Sequence, residues 1–275
     1  MLAATFLALA AAVLHAAWNV AIKISGDRYI AAWGQFVFGG VVLAPVLFGV
    51  GFPAARSWPM LAVSTTIHCL YLVALTNAYD AGDFSLAYPL ARGGGALIAA
   101  LGGAAILGDS MVGLAWAGVA VVAIGLASTA WPLGSRATLA WAAATAITIG
   151  SYTIVDTVGS RRAAGWTYGL ALFFCVAIAF SAVGVVRGRG PDLRRALPGS
   201  WWRFLVSGVA SSLAYTLVLI AVRHAPVGYV ATLRESSVVL GALAGWWLLK
   251  ERLAPVRAAS SVVVLGGMAL LIFGH

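Results

Sequence analysis

Charged side chains are scarce in this sequence. They make up 9% of the 275 residues, whereas hydrophobic residues make up 62% and the mean hydropathy is +0.98. A soluble domain carries about 25% charged residues, so this chain has too little polar surface to cover a water-soluble globule. Its apolar surface must face lipid, and the lipid bilayer is its first expected partner.

Cysteine is nearly absent, and the motifs of enzymes are missing. Cys69 and Cys175 both lie inside apolar runs, which predicts packing residues and excludes a disulfide framework. There is no nucleophile elbow, no Cys/His spacing of a metal site and no nucleotide-binding loop. The sequence therefore predicts no catalytic residue, no metal and no cofactor.

Acidic residues are also few, eight against 17 basic ones, which gives a net charge of +9. Such a balance can indicate nucleic-acid binding, but the basic residues here are dispersed at the ends of apolar segments. Charge that flanks membrane spans explains this distribution, so no nucleic-acid partner is expected. The first apolar segment, Leu2–Ile22, follows no basic residues and is long enough to span, which predicts a mature helix rather than a signal peptide.

Ten segments have the length and composition of membrane-spanning helices, about 20 mostly apolar residues each. None alternates like a barrel strand, and backbone groups in lipid must be satisfied within the protein, so all ten are predicted to be helical. The longest break between them is Arg187–Ser200. The predicted spans are Leu2–Ile24, Tyr29–Val50, Trp58–Ala78, Ser85–Leu107, Met111–Trp131, Thr138–Val158, Trp166–Val186, Trp202–Val222, Val227–Leu249 and Ala254–Phe273.

The chain also aligns with itself. A constant shift of 142 residues places Arg92 on Arg234 and Asp109 on Glu251, with an apolar run between the two in each copy. Because each copy holds an odd number of spans, the second enters the membrane from the opposite side, and the repeats are inverted. Internal repeats of this kind are typical of secondary transporters, with the binding site at the repeat interface. The predicted domains are the five-helix repeats 1–134 and 135–275.

The ends of the two repeats carry a recognisable pattern. An acidic residue precedes each last helix, in Leu107-Gly108-Asp109 and in Leu249-Lys250-Glu251-Arg252-Leu253, and Pro89 and Pro226 stand near the start of each fourth helix. In these features the whole chain resembles the drug/metabolite transporter superfamily, EamA-like branch. The resemblance implies an all-α integral membrane protein of ten transmembrane helices, with a central cavity, that moves small metabolites, amino acids or drugs, often outward. Asp109 departs from the glutamate that is usual at its position.

The first span carries a second resemblance. His15-Ala16-Ala17-Trp18-Asn19, with Lys23 a turn later, is similar to an EamA-like subgroup linked by gene context to phosphonate use. His15, Trp18 and Asn19 share one helix face at spacings of three and four residues, which is consistent with cavity lining or with packing. The other polar and aromatic residues expected to bind substrate are His68, Tyr71, Tyr88, Tyr152, Tyr215 and Tyr229.

Three ionisable residues are predicted to lie deep in the membrane, where such groups usually face a cavity or a partner. Arg92 and Arg234 occupy equivalent depths of the fourth and ninth spans, and Glu235 follows Arg234. One interpretation is structural, with Arg234 paired to Glu235 or to helix carbonyls and Arg92 joining helices. The other is a pair of guanidinium forks that bind a substrate carboxylate or phosphonate through parallel hydrogen bonds. Glu235 points about 100° away from Arg234 and could face another helix.

Asp156, near the end of the sixth span, admits two interpretations. It is either a headgroup-level aspartate opposite Arg161, or a proton-coupling carboxylate whose protonated form is favoured by burial and hydrogen-bonded by Tyr152. The glycines Gly93-Gly94-Gly95 after Arg92 are expected to let helices approach closely or to let the fourth helix bend or break.

These features predict a secondary transporter, not an enzyme, in the inner (cytoplasmic) membrane, as a multi-pass monomer or homodimer. Its expected small-molecule substrate is a polar or amphipathic metabolite, anionic or zwitterionic, which it exports by alternating access. The alternative is a flippase or carrier for a lipid-linked headgroup.

The charge distribution also predicts orientation. Excluding Arg92 and Arg234, eleven Lys and Arg residues fall in the odd-numbered loops and four in the even-numbered ones. The positive-inside rule therefore places both termini outside, although members of the superfamily are usually drawn with both inside. A cysteine inserted between Gly190 and Pro191 should then resist a membrane-impermeant maleimide in intact cells. Labelling at that position would reverse the predicted orientation.

Overall fold

The computed structural model describes residues 1–23, 27–81, 84–128, 135–240, 243 and 255–274, and all their regular structure is helical. At a few helix-end positions, including Asn19, only the backbone is described. The predictions made for the Asn19 side chain and for Glu251 therefore lie outside the described residues. The helices are α1 (Leu2–Lys23), α2 (Arg28–Val50), a 3-10 turn (Ala55–Ser57), α3 (Trp58–Ala81), α4 (Phe84–Leu107), α5 (Gly113–Ser128), α6 (Arg136–Arg162), α7 (Gly165–Val186), α8 (Gly190–Ala221), α9 (Val227–Arg234) and α10 (Pro255–Phe273).

The lengths of these helices confirm an all-α integral membrane protein. Six apolar helical stretches in the described residues are long enough to cross a bilayer, and three shorter ones have similar composition. The predicted ninth span begins with α9 and continues into residues that are not described. The six long stretches are Tyr29–Val50, Ala55–Ala78, Ala87–Leu107, Arg136–Arg162, Gly165–Val186 and Gly190–Ala221.

The predicted loop Arg187–Ser200 is wrong. Only residues 187–189 separate α7 from α8, because α8 begins at Gly190. Pro191 stands at the start of the helix, where its missing N–H removes no hydrogen bond within the helix. Asp192 in the first turn interacts favourably with the positive end of the helix dipole. Leu193 is 5% exposed and packs into the apolar cluster of α2, α3, α7 and α8. Arg194 and Arg195, two of the four arginines of the predicted loop, are exposed residues of α8.

The two halves of the chain pack in equivalent ways. If each helix is replaced by its counterpart in the other half, five helices away in the chain, a pair of helices in contact becomes another pair in contact. The pair α1–α8 corresponds to α3–α6, α1–α9 to α4–α6, and α2–α8 to α3–α7, and all six pairs are in contact. The pairs α2–α7, α4–α9 and α5–α10 correspond to themselves and are also in contact. This packing is the arrangement expected of two five-helix repeats, whose boundary at residue 134 stays a prediction.

The glycines in α4 serve close packing. A Cβ atom on Gly93 would lie 3.0 Å from Cβ of Leu126, and one on Gly94 would lie 2.9 Å from Cβ of Ala146. Both distances are shorter than ordinary contact, so α5 and α6 approach α4 as closely as they do only because these positions lack side chains. The helix neither breaks nor ends at the glycines, so the expected close approach is confirmed and the break is not found in α4.

The break instead follows α9. The helix α9 ends at Arg234. Glu235 has right-handed backbone angles but is not part of the helix, and helical backbone resumes over residues 236–240. The N–H of Glu235 donates to the carbonyl of Thr232 at 3.0 Å, and the N–H of Val238 donates to the carbonyl of Glu235 at 2.9 Å. These three-residue spacings tighten the helix locally, as in a 3-10 turn. No glycine or proline marks the position.

Asp109 joins the two halves of the chain at one end of the bundle. Arg161 at the end of α6 donates to its two carboxylate oxygens at 2.8 and 3.0 Å, and the N–H of Val227 donates to Oδ2 at 2.7 Å. Arg161 also donates from Nε to the carbonyl of Val222 at 2.9 Å. One carboxylate thus fixes the ends of α4 and α6 and the start of α9.

Replacing Asp109 by Asn should lower the unfolding midpoint of the detergent-purified protein by on the order of 5 °C. The change weakens a two-pronged ion pair and a charge-assisted bond to the N–H of Val227. Asp192→Asn is the matched control, because Asp192 is 38% exposed and, among the described residues, pairs with Arg189 and Arg195 of its own segment. That variant should shift the midpoint by about 1 °C or less. Equal midpoints for the two variants would show that Asp109 does not hold the helices together.

Candidate functional site

A buried ion pair joins the fourth helices of the two halves. Arg92 on α4 donates from Nε to Oε2 of Glu235 at 3.0 Å and from Nη2 to Oε1 at 2.6 Å. The two side chains are 4% and 1% exposed. Arg92 lies two turns into α4, and Glu235 lies at the break after α9, so a two-pronged pair spans the interface between equivalent elements.

This ion pair bears on the two interpretations that the sequence allowed for Arg92, Arg234 and Glu235. Arg234 does not pair with Glu235, because consecutive helical side chains diverge and Glu235 reaches across to Arg92. The guanidinium fork of Arg92 is occupied by protein, so the sequence-based picture of two forks open to one substrate anion does not describe this conformation. Whether Arg92 also contacts substrate stays a prediction.

Arg234 is placed differently from its repeat counterpart. It is 4% exposed, and its Cζ lies 6.0 Å from the centroid of the Tyr215 ring. It also interacts with the hydroxyl of Tyr152. Within the described part of the chain no ion pair joins it to a carboxylate, and its Nε lacks a hydrogen-bond partner. Ser237, three residues later on the same face, is buried and also lacks a partner at Oγ.

Aromatic rings from α3, α6 and α8 pack beside Arg234. His68 stacks on Tyr152 with centroids 4.1 Å apart, and Tyr71 and Tyr215 meet Tyr152 edge-on at 5.6 and 6.0 Å. We call these four rings, His68, Tyr71, Tyr152 and Tyr215, the aromatic cluster. Nδ1 of His68 lies 3.1 Å from the hydroxyl of Ser64, which fixes the orientation of the imidazole. The structure thus brings together four residues that the sequence placed on three separate helices.

Asp156 lies against this cluster and is fully buried. Tyr168 donates to Oδ1 at 2.9 Å, and Tyr215 donates to Oδ2 at 2.5 Å. The prediction of a headgroup-level aspartate opposite Arg161 is wrong, because α6 continues to Arg162 and Arg161 pairs with Asp109. The expected hydrogen bond from Tyr152, one turn earlier on α6, is replaced by bonds from α7 and α8.

Tyr168 is the site residue that sequence reasoning missed, since none of the predicted site residues lay on α7. Only residues 163 and 164 separate α6 from α7, so α7 folds back along α6 and Tyr168 returns to the level of Asp156. Gly159 makes the approach feasible, because a Cβ atom there would lie 2.6 Å from the Tyr168 hydroxyl. The signal available in the sequence was a tyrosine just after a short turn that follows a buried carboxylate.

The remaining predicted residues divide into two groups. His15 lies with Nε2 3.4 Å from the Tyr88 hydroxyl and meets the Trp18 ring edge-on at 4.7 Å, within electrostatic reach of Arg92 and Arg234. These residues of α1 and α4 adjoin the ion pair. Tyr229 instead bonds Thr5 at 2.8 Å and packs in the apolar cluster of α1, α5, α8, α9 and α10, so it does not join the aromatic cluster.

The centre therefore combines four ionisable groups with different partners. Arg92 and Glu235 neutralise each other, Asp156 is held by two hydroxyls, and Arg234 faces aromatic rings. Such a site can accept an anionic group at Arg234 and exchange a proton at Asp156. All four side chains are at most 4% exposed, so the centre is closed to solvent in this conformation.

Comparison with known proteins identifies the class. A family model described as the EamA-like transporter family matches residues 136–273, half of the chain. The chain belongs to this family, which is part of the drug/metabolite transporter superfamily. Its members are membrane transporters and not enzymes, so the protein is a multi-pass membrane transporter of the drug/metabolite type.

A protein of known crystal structure has the same fold. It matches with a TM-score of 0.77 over 98% of both chains at 16% sequence identity. No curated protein matches the sequence.

Removing one partner of the buried ion pair should destabilise the protein strongly. Glu235→Gln leaves the Arg92 guanidinium without a countercharge, which typically costs about 3–5 kcal/mol and should lower the unfolding midpoint by on the order of 10 °C. The double variant Arg92→Met/Glu235→Gln removes both charges and should recover a large part of that loss. A double variant that is less stable than either single variant would show that the two side chains do not act as a pair.

Proposed function

We propose that this protein is a secondary transporter that exports a small polar or amphipathic metabolite with a carboxylate or phosphonate group across the cytoplasmic membrane. Arg234 is the residue that would bind the anionic group. The observation that carries the proposal is its environment. Among the described residues no carboxylate pairs with this buried guanidinium, and such a group is expected to bind a negative charge. The outward direction rests on the family resemblance alone.

Two features support a polar substrate at this position. The Nε of Arg234 and the Oγ of Ser237 lie on one helix face and are buried without hydrogen-bond partners among the described residues, whereas buried polar groups are normally hydrogen-bonded. They lie at the break after α9, and interrupted helices with free polar groups are where many transporters bind substrate. The aromatic cluster beside them provides apolar surface for the remainder of an amphipathic molecule.

Alternating access is the mechanism that the geometry favours. A substrate cannot reach side chains that are at most 4% exposed unless the helices separate. Several contacts at the centre run between the halves, from Arg92 to Glu235 and from the rings of His68 and Tyr71 to the ring of Tyr152. Rocking one half against the other would open the centre to one side at a time.

Arg234→Lys should weaken substrate binding about ten- to a hundredfold. Lysine keeps the charge but loses the planar fork, and a charge-assisted contact of this kind contributes roughly 1.5–3 kcal/mol. The measurement is a thermal-shift titration of detergent-purified protein against amino acids, alkylphosphonates, nucleosides and aromatic cations, with affinities taken for each compound that stabilises the wild type.

Two variants control that experiment. Arg92→Lys should lower the unfolding midpoint while the affinity of the surviving protein stays close to wild type, because the fork of Arg92 is engaged by Glu235. Arg203→Lys, at a guanidinium stacked on Trp202, should change neither binding nor the choice of compound. Stabilisation by aromatic cations alone, or unchanged affinity in Arg234→Lys, would contradict an anion site at Arg234.

We further propose that Asp156 carries the coupling proton. It is fully buried and, within the described residues, it is held by hydroxyls without an ion pair. A carboxyl group in such surroundings can exist in both protonation states, whereas Glu235 is fixed as an anion by Arg92.

Asp156→Asn should abolish uphill accumulation while counterflow exchange persists. The amide mimics a permanently protonated carboxyl group, so the carrier can still change conformation but cannot use a proton gradient. The assay uses proteoliposomes with an imposed pH gradient and the compound that binds best in the thermal-shift titration, with Asp192→Asn as the matched surface control. Accumulation against the gradient by Asp156→Asn would remove the coupling role from this residue.

A further inference from the structure

Tyr215 contacts both of the groups to which the proposed function assigns a task. Its hydroxyl donates to Oδ2 of Asp156 at 2.5 Å, and its ring lies under the guanidinium of Arg234, with Cζ 6.0 Å from the centroid. Among the described residues no other side chain combines a hydrogen bond to Asp156 with a ring contact to Arg234. The hydroxyl and the ring thus serve two different partners on α6 and α9.

We propose that Tyr215 is the positioning residue that couples Arg234 to Asp156, so that an anion bound at Arg234 changes the proton occupancy of Asp156. The inference rests on the proposed function, because it links the two roles assigned there. It adds that the link is a single side chain on α8.

The physical basis is that Tyr215 cannot move independently of its neighbours. Its ring meets Tyr152 at 6.0 Å, His68 at 6.0 Å and Phe173 at 6.4 Å, so it is enclosed by rings from three helices. A substrate anion that draws the guanidinium towards itself removes the cation from the ring face. The ring then relaxes, and the hydroxyl changes its distance to the carboxylate, where hydrogen-bond strength depends steeply on geometry.

The other groups around Asp156 do not provide the same link. Ser64 and His68 on α3 face the carboxylate, and Tyr168 on α7 donates to its second oxygen. Tyr152 on α6 interacts with Arg234 through its hydroxyl and with Tyr215 through its ring, but among the described contacts its hydroxyl does not bond Asp156, whereas those of Tyr168 and Tyr215 do. The guanidinium of Arg234 on α9 lies over the Tyr215 ring. Transmission from Arg234 to the carboxylate therefore passes through the ring and hydroxyl of Tyr215.

The chain supplies two matched controls. Tyr168→Phe removes the other hydroxyl from the same carboxylate without touching Arg234. Tyr71→Phe removes a hydroxyl from the same aromatic cluster, where the Tyr71 ring meets Tyr152 and His68.

The experiment follows the titration of Asp156 directly and needs no substrate. Infrared spectra of the full-length protein in lipid nanodiscs are recorded over a pH series, and the carboxylic C=O stretching band that Asp156→Asn removes is assigned to this residue. The midpoint pH of the band is compared with and without Arg234→Gln, in the wild type and in the Tyr215→Phe, Tyr168→Phe and Tyr71→Phe backgrounds. Arg234→Lys provides a second comparison if the glutamine variant does not fold.

Arg234→Gln should move the midpoint by about one pH unit in the wild type and in both control backgrounds. In the Tyr215→Phe background the shift should fall to less than half. A full shift with phenylalanine at 215, no shift in the wild type, or an Asp156 band that does not titrate would each overturn the proposal. Because these results require no transported compound, they are distinguishable from failure of the proposed function, which the thermal-shift titration detects.

Discussion

Charge inside a membrane must be compensated within the protein, and the organisation of this centre depends on that constraint. Arg92 and Glu235 meet it together, since two parallel hydrogen bonds satisfy both groups at 1–4% exposure. Their pairing fixes α4 against the break after α9, which brings the equivalent elements of the two halves into contact. It also leaves Arg234 without the partner that its sequence position suggested, and this is the observation on which the proposed anion site rests.

Tyr168 and Tyr215 stabilise the buried carboxyl group of Asp156 through hydrogen bonds, without a countercharge. Two hydroxyls from α7 and α8 bind the carboxylate, and they can stabilise it while leaving it free to accept a proton. An arginine in their place would hold the carboxylate ionised. The difference between the two acidic residues of the centre is therefore a difference of partners, with Glu235 fixed by a cation and Asp156 held by neutral donors.

Small residues allow these contacts to form. Gly93 and Gly94 let α4 approach α5 and α6, and Gly159 makes room for the ring of Tyr168. At the end of the bundle Asp109 and Arg161 add an ion pair between the halves. The polar centre is thus enclosed by tightly packed apolar helices, which accounts for its low exposure.

The sequence by itself determined the class, the helical spans and most members of the site. Composition and span length require lipid-facing helices. The alignment of Arg92 with Arg234 indicates the centre, because a charged side chain deep in a span must face a cavity or a partner inside the protein.

The sequence did not determine which groups pair. Glu235 follows Arg234 in the chain yet binds Arg92, and Asp156 binds Tyr168 from a helix that carries no charge. The start of α8 at Gly190 was not predicted, for a related reason. Charged residues close together in the sequence resemble a loop, and only the packing of Leu193 shows that the segment is helical. Partners of buried groups are chosen by the crossing of helices, and that choice exists only in the tertiary structure.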